Sequence, residues 1–486
     1  MDSEMDASLT VSPPPNMTAS PTWTKGSTGV WRRELFGVEH YLAGLSVLCD
    51  GQQDLEVCAA FTSSLAAAEL EQRLPKAWEA TLNRYPHFAS RIVHEPTDDS
   101  PIHCVLECPV DNISERAQES AQVHRSSSDA KQAIKEMHKE LTSRRTEGVE
   151  VHLVNASNGC ALFLSAAHAY YDIFGGILVL NQLLKYLVDE QCQEQRLDNV
   201  AERLTPSVPD ALPPPPVSLA EDVQKFIGEM LGPLPQQMPT TPMITPDFSD
   251  GKGNGSATFV CRTLDRETSS KLLGSLKAND VTITSTFDAA LHLVIAQRAG
   301  RPEKGWKGVV CTNFPGVSSL RPFMKPEVKH DYAGLAVGAL PAAMDLSGLD
   351  DKGAEDVLLA GAKQIKADYD RIMSNPCTAY GLGTLVTLMN IEKALPPPQP
   401  AYISILSSVG NLDEVLVGDV KGSAQQSIVV DDFSVSLRMH EYFGPAFHLW
   451  TFKGQIKLQF AHPRVYEYVA GDILDRTVQL VLSAFS

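Results

Sequence analysis

The feature that most constrains this chain is a proline-rich stretch near its middle. Between Leu204 and Asn254 the sequence carries Pro213-Pro-Pro-Pro216 and then LPQQMPTTPMITPDFSDGKGNG, a composition that favours extended, solvated chain over packed structure. It divides 486 residues into an N-terminal lobe at 29–203 and a C-terminal lobe at 255–486, with 204–254 as a crossover linker. Each lobe is long enough for a core of its own. A second proline run, ALPPPQPAY at 394–402, reads as a loop inside the C-terminal lobe. No repeat of fixed period is present.

Both lobes mix helix and strand signals. Leu70, Leu74, Ala77, Trp78 and Leu82 recur at helical spacing until Pro86 ends the pattern, and Pro75 implies a kink or a late start. Ser90–Val93, Val149–Val154 and Ala161–Ala166 read as strands, and Ile177, Leu180, Leu184 and Leu187 as one helix face. In the second lobe a strand is expected at Ser256–Arg262, and a helix capped through Ser285-x-x-Asp288. Further strands are expected at Val309–Thr312, Tyr402–Leu406, Ser434–Arg438 and Gln455–Phe460, the last as an antiparallel, half-solvated strand. The expected fold class is α/β, two similar mixed α/β lobes joined by the crossover, with a site at their interface.

Composition removes several functions. Lys and Arg total 41 against 59 Asp and Glu, a net charge of −18, the wrong sign for a nucleic-acid binder. The longest apolar run, Cys160–Leu184, is broken by His168, Asp172 and a glycine pair, so no membrane span is expected. Residues 1–28 are acidic and rich in Pro and Ser, which implies a disordered lead-in rather than a signal peptide and a cytoplasmic protein. The nine cysteines are scattered, with only Cys104 and Cys108 close together. No metal site is expected from them, because zinc needs four ligands, and reduced thiols fit an intracellular protein.

Two His-x-x-x-Asp spacings occur, and about one is expected by chance, so context decides. His94-EPT-Asp98 sits in a polar, proline-containing stretch and reads as a surface loop. His168-AYY-Asp172 follows a buried-looking strand and precedes Gly175-Gly176 and an apolar helix. Strand ends display reactive side chains in α/β folds, and paired glycines let backbone or ligand approach closely. A core histidine, with Asp172 merely capping the helix, accounts for the same residues equally well on local chemistry.

The segment SAA-His168-AYY-Asp172-IFGG resembles the His-x3-Asp-Gly active-site element of the chloramphenicol acetyltransferase superfamily. That superfamily includes the acyl-CoA-dependent acyltransferases, plant BAHD enzymes and peptide-synthetase condensation domains. Asn83-RYPHFASRI, Thr312-Asn313-FPGVSSL-Arg321-P and Ser407-Ser-Val-Gly-Asn411-Leu resemble three further elements in the family's order. With WRRELFGVEHY at 31–41, the chain is most similar to fungal alcohol O-acetyltransferases of secondary metabolism, the trichothecene type among them, over about residues 30–480. It departs from the pattern at Ala167, where many relatives have a second His, and at Ile173, where they have Gly. The plant-type Asp-Phe-Gly-Trp-Gly element is absent.

The resemblance implies acyl transfer from acetyl-CoA or another short acyl-CoA to a small-molecule alcohol, a terpenoid or polyketide for example. His168 would act as general base, with no permanently bound cofactor and a monomeric protein. It implies that Asp172 turns from the pocket to pair with an arginine, best matched by Arg321. Ser407 or Ser408 would supply an oxyanion donor, and Asn313 and Asn411 are candidates on the oxyanion or cofactor side. As strand-end turn residues the serines are explained equally well. The aromatic stretch His440–Trp450 is a candidate acceptor-pocket lining, although such clusters are more often core. Arg321, Lys325 and Lys329 are candidates for a basic patch toward CoA, although a solvated surface run better explains the two lysines. Two alternatives stay open: a condensation-type enzyme with a carrier-protein thioester or an amine acceptor, and a non-acylating relative that binds a ligand or shapes a pericyclic reaction.

Overall fold

The computed structural model describes residues 22–97, 103–189, 199–231, 257–298, 310–347, 352–385, 405–440 and 444–485, less 215, 217, 218, 314, 315 and 424, together with Ile244, Asp247 and Leu349. The expected strand Tyr402–Leu406 lies partly, and the loop expected at 394–402 wholly, outside these residues, as do Ser256, Val309 and residues 1–21 of the expected lead-in.

A six-stranded sheet organises the N-terminal lobe. Its order is β15 (Asp419–Lys421), β16 (Ser427–Leu437), β3 (Leu55–Ser63), β8 (Gly159–Ala166), β7 (Val149–Ala156) and β6 (Ala121–Arg125). All neighbours are antiparallel except β6 and β7. The central strand β3, LEVCAAFTS, is buried on both faces through Phe61, which is why it reads as a continuous apolar run. Its Leu55, Val57, Ala59 and Phe61 meet the helices Ala67–Arg84 and Ile173–Val188 in the largest core. On the other face Cys58 packs with Phe163 and the helix Ala130–Leu141. A smaller sheet, β1 (Thr24–Lys25), β2 (Trp31–Glu34), β5 (Cys104–Cys108) and β4 (Arg91–His94), lies beside it.

The C-terminal lobe carries a four-stranded sheet, β14 (Ile405–Asn411), β17 (Ala446–Phe452), β18 (Gln455–Pro463) and β9 (Ala257–Thr263). Phe447, Leu449, Leu458 and Phe460 bury one face against the helices Ile283–Arg298 and Glu467–Phe485. Two short two-stranded antiparallel sheets accompany it, β10 (Val310–Asn313) with β13 (Ala342–Asp345), and β11 (Val317–Ser319) with β12 (Val337–Ala339).

Several expectations change. The division at 255 is not the division between sheets, because β16 comes from the second lobe yet pairs with β3 from Ile428↔Ser63 to Leu437↔Leu55. Its Phe433 and Val435 are buried in the N-terminal core. The crossover is not wholly extended: Val208–Ala211 and Ala220–Leu231 are helical, and Val223, Phe226, Ile227 and Met230 bury an apolar stripe against Leu320 and Leu382. Order begins before residue 29, where β1 pairs with β2 and the Trp23 indole N–H donates to the Thr205 carbonyl at 2.8 Å. The helix Ala67–Arg84 starts well before Pro75 and runs past it. At Ile283–Arg298 the cap is Thr282 with Ser285, whose side chains exchange bonds with each other's backbone N–H at 3.0 and 3.1 Å, one turn earlier than expected; Asp288 is buried inside the helix. Strand β18 lies between β17 and β9 and is buried on both faces, not half-solvated. His94 ends strand β4 rather than lying in a loop, and Asp98 is outside the described residues. Among the described residues no helix is long and apolar enough to cross a membrane.

Candidate active site

Strand β8 delivers His168. The ladder ends at Ala166, opposite Leu55 and Val149, and the chain turns sharply through Ala167-His168-Ala169-Tyr170-Tyr171. Two tyrosines hold that turn: the Tyr171 hydroxyl lies 2.8 Å from both the Leu55 and Leu164 carbonyls, and the Tyr170 hydroxyl donates to the Ser90 carbonyl at 3.0 Å. His168 Nδ1 lies 2.8 Å from the Tyr171 carbonyl oxygen. A carbonyl only accepts, so Nδ1 carries the proton and Nε2 keeps a lone pair. Burial lowers the pKa of this imidazole against the opposing pull of the Tyr171 carbonyl, so it is neutral at pH 7.

Asp172 points the other way. It caps the helix Ile173–Val188 by accepting the Gly175 N–H at 2.8 Å. Arg321 grips it with two N–H···O bonds of 2.7 and 2.8 Å, and the Ala336 N–H adds a fourth at 2.9 Å. Burial pushes this carboxyl up; the Arg321 charge and the four donors outweigh burial and hold it below its ordinary value. Arg321 further donates to the Tyr332 and Gly334 carbonyls. The glycine pair serves protein packing: a Cβ on Gly175 would lie 2.2 Å from the Ala333 carbonyl oxygen, and one on Gly176 2.7 Å from Val57.

Register assigns the C-terminal candidates to faces. Ser407 on β14 pairs with His448 on β17, which pairs with Gln459 on β18, so the three side chains share one face. That face meets the N-terminal lobe: Gln459 Nε2 donates to the Val435 carbonyl at 2.6 Å, Lys457 pairs with Asp432, and Phe259 packs edge-on against His138. Ser408 is on the opposite face, 2.7 Å from the Thr284 hydroxyl. His448 is 2% exposed, and burial, then the charge of a protonated His168, push its pKa down to about 4. The His168 turn and the Ser407–His448 row thus lie near enough across the seam for a charge on His168 to act on His448.

Other candidates lie elsewhere. Asn411 caps the turn Leu412–Glu414 and bonds Glu414 and Thr451 at the exposed end of its strand. Asn313 pairs with Ala342; its side chain is outside the described residues. The basic patch is not assembled as expected, because Arg321 is committed to Asp172 and Lys325 Nζ to the Asp210 carbonyl at 2.7 Å. Residues 441–443 of the stretch His440–Trp450 lie outside the described residues; within Ala446–Trp450, Phe447 stacks on Phe460 in the C-terminal core at 4.2 Å, and the alternate positions face the seam.

A cavity of about 590 Å³ opens beside the His168 turn, lined by Ala167, Tyr170, Ser46, Thr146, Arg116 and Arg145 among others. This volume suits a small organic molecule. Of these, Ala167 and Tyr170 belong to the His168 segment; Ser46, Arg116, Arg145 and Thr146 carry no local motif, and sequence reasoning missed them. Among the described residues no cluster of His, Cys, Asp and Glu has the grouping of a metal site.

No protein-family profile matches this sequence, and no curated protein matches it in sequence. Solved structures do match in three dimensions. The chain is similar to the trichothecene 15-O-acetyltransferase of Fusarium sporotrichioides, with a TM-score of 0.82 over 98% of this chain and 100% of that one, at 15% identity. The chain has the chloramphenicol acetyltransferase fold. This fold also relates it to polyketide synthase associated protein 5 of Mycobacterium tuberculosis (TM-score 0.60, 13% identity, 93% of this chain and 98% of that). The condensation domain of the Monacolin K polyketide synthase is a third such structure (TM-score 0.57, 11% identity, 93% and 96%). In this chloramphenicol acetyltransferase fold the His168 turn and the Ser407–His448 row occupy the seam between the lobes.

Proposed function

We propose that this protein is an O-acyltransferase that moves an acetyl or other short acyl group from acyl-CoA to a hydroxyl of a small natural product, a terpenoid or polyketide for example. The observation that carries the reading is the fixed tautomer of His168, which makes Nε2 the basic nitrogen, while Asp172 is held away by Arg321. The full-length likeness to a fungal O-acetyltransferase supports it.

In this mechanism the acceptor hydroxyl gives its proton to His168 Nε2 as its oxygen attacks the thioester carbon. The carbonyl electrons move onto oxygen, then return as the C–S bond breaks, and His168 hands the proton to the departing thiolate. No covalent acyl-enzyme forms. Asp172 moves no proton; with Arg321 it fixes the loop that aims the imidazole. The same reading makes the protein cytoplasmic and monomeric.

A carrier-protein thioester is the second reading for the donor. The commitment of Arg321 and Lys325 to protein partners favours it, since these cations are not left for CoA phosphates.

The test is thiol release from acetyl-CoA with a panel of terpenoid and polyketide alcohols, wild type beside His168→Ala. Product formed by the wild type alone supports the reading. Equal turnover by both removes His168 as the base.

A further inference from the structure

Acyl transfer needs a donor for the oxygen that becomes negative, as well as a base for the attacking hydroxyl. The sequence offers Ser407 and Ser408 for this role, and the register leaves only Ser407 on the seam face. Its in-register neighbour is a histidine. His448 sits between Ser407 and Gln459, almost wholly buried, on the face that meets the N-terminal lobe. Gln459, on the neighbouring strand β18, is tied across the seam to Val435, so the sheet carrying His448 is held against the lobe that carries His168.

The two ring nitrogens of His448 differ: Nδ1 is sealed from solvent with no hydrogen-bond partner among the described residues, and Nε2 is not such an orphan. An orphaned buried N–H is rarer and costlier than an orphaned acceptor lone pair. The proton therefore sits on Nε2, and the sealed Nδ1 holds the lone pair. We propose that His448 is a second catalytic imidazole of this site, donating its Nε2–H to the thioester carbonyl oxygen as that oxygen becomes an oxyanion. This rests on the acyl-transfer reading above and names the group that completes it.

The two histidines then have opposite tautomers. His168 has its proton fixed on Nδ1 by the Tyr171 carbonyl and offers a lone pair; His448 offers an N–H. Burial keeps His448 neutral throughout the working range, so it does not compete for the proton His168 takes up. A neutral imidazole also returns its hydrogen bond without holding the product as an ion pair would. Ser407, in register on the next strand, adds a second donor from the same face.

The experiment measures thiol release from acetyl-CoA and from acetyl-pantetheine, the arm shared by CoA and carrier proteins, with water as acceptor. Wild type is compared with His168→Ala, H448F, H448Q and H448N. A glutamine amide reaches about as far as Nε2, and an asparagine amide only about as far as Nδ1. The expected result is a fall in kcat of about 100-fold in H448F and H448N, KM within about twofold, and recovery to within about tenfold in H448Q. Unchanged kcat in H448F, or equal loss in all three variants, overturns the proposal. If H448F does not fold, the contrast between Gln and Asn decides alone. Failure of the underlying reading is separate: turnover of both donors that His168→Ala leaves intact overturns the acyl-transfer mechanism, and this inference with it.

Discussion

Asp172 and Arg321, 149 positions apart in the sequence, meet as a two-pronged ion pair with N···O distances of 2.7 and 2.8 Å. The pair joins the helix after the His168 turn to the β11–β12 segment, and all three guanidinium nitrogens donate within the protein.

Removing one partner strands the other charge. Arg321→Ala leaves Asp172 ionised and buried with only two backbone donors, and the expected loss is about 3–5 kcal/mol. Arg321→Lys loses the fork and recovers little. Asp172→Asn keeps the cap but not the charge, so it falls between. Asp172 has a lowered pKa, so its contribution is complete above the unfolded carboxyl value and lost as pH falls through the folded one. Urea unfolding of the three variants at pH 7 and at acid pH checks both claims, and an Arg321→Ala protein as stable as wild type at pH 7 contradicts them.

Glycines 175 and 228 make opposite predictions. A Cβ at Gly175 collides with the Ala333 carbonyl oxygen, and backbone does not yield cheaply. Gly175→Ala is expected to cost about 3 kcal/mol and to lower turnover by displacing the Asp172 loop. Gly228 lies on the exposed side of the helix Ala220–Leu231 with nothing within 4 Å, so Gly228→Ala stabilises by about 0.5–1 kcal/mol. Thermal unfolding of both proteins reads the two signs.

How far the sequence leads is shown by these same residues. The buried run Ala161–Ala166, the apolar helix face and the His168–Asp172 spacing are local patterns, and each names its own element. The face on which a serine lies is not local. Ser407 and Ser408 look alike in sequence, and only the pairing of β14 with β17 separates them. His448 is one polar residue in an aromatic stretch, and its partner across the seam is 280 positions away. The proline-rich crossover misleads in the other direction, because composition outweighs the apolar stripe Val223, Phe226, Ile227 and Met230 that folds it onto the core.

The two serines are therefore expected to respond differently. Ser407→Ala, on the seam face, lowers kcat and leaves stability within about 0.5 kcal/mol. Ser408→Ala breaks the 2.7 Å bond to Thr284 behind the sheet, costing about 1 kcal/mol of stability with kcat intact. Steady-state thiol release and urea unfolding on both variants separate the faces; an identical response of the two would mean that the register does not govern access to the seam.

His168 sets the acid limb of the rate profile. Burial lowers its pKa below the ordinary 6.5, so kcat/KM is expected to be flat at neutral pH and to fall only below that value. A midpoint above 6.5 in the pH dependence of thiol release excludes His168 as the titrating base.

His87 lies apart from the His168 turn, beneath the helix that ends at Arg84. It is 3% exposed, and its Nδ1 is 2.6 Å from the Thr205 hydroxyl. Burial, and secondarily the Arg33 charge, push its pKa down to about 3. An unfolded histidine titrates near 6.5, so between these values the unfolded chain binds a proton that the folded one does not. Its contribution is complete above the unfolded value and declines by about 1.4 kcal/mol per pH unit as pH falls toward the folded one. His87→Gln cannot take up that proton in either state. Its unfolding free energy, measured in urea from pH 6.5 to 4.5, is expected to fall less steeply than that of the wild type by one proton's slope, and parallel curves would show that His87 is already charged in the folded protein.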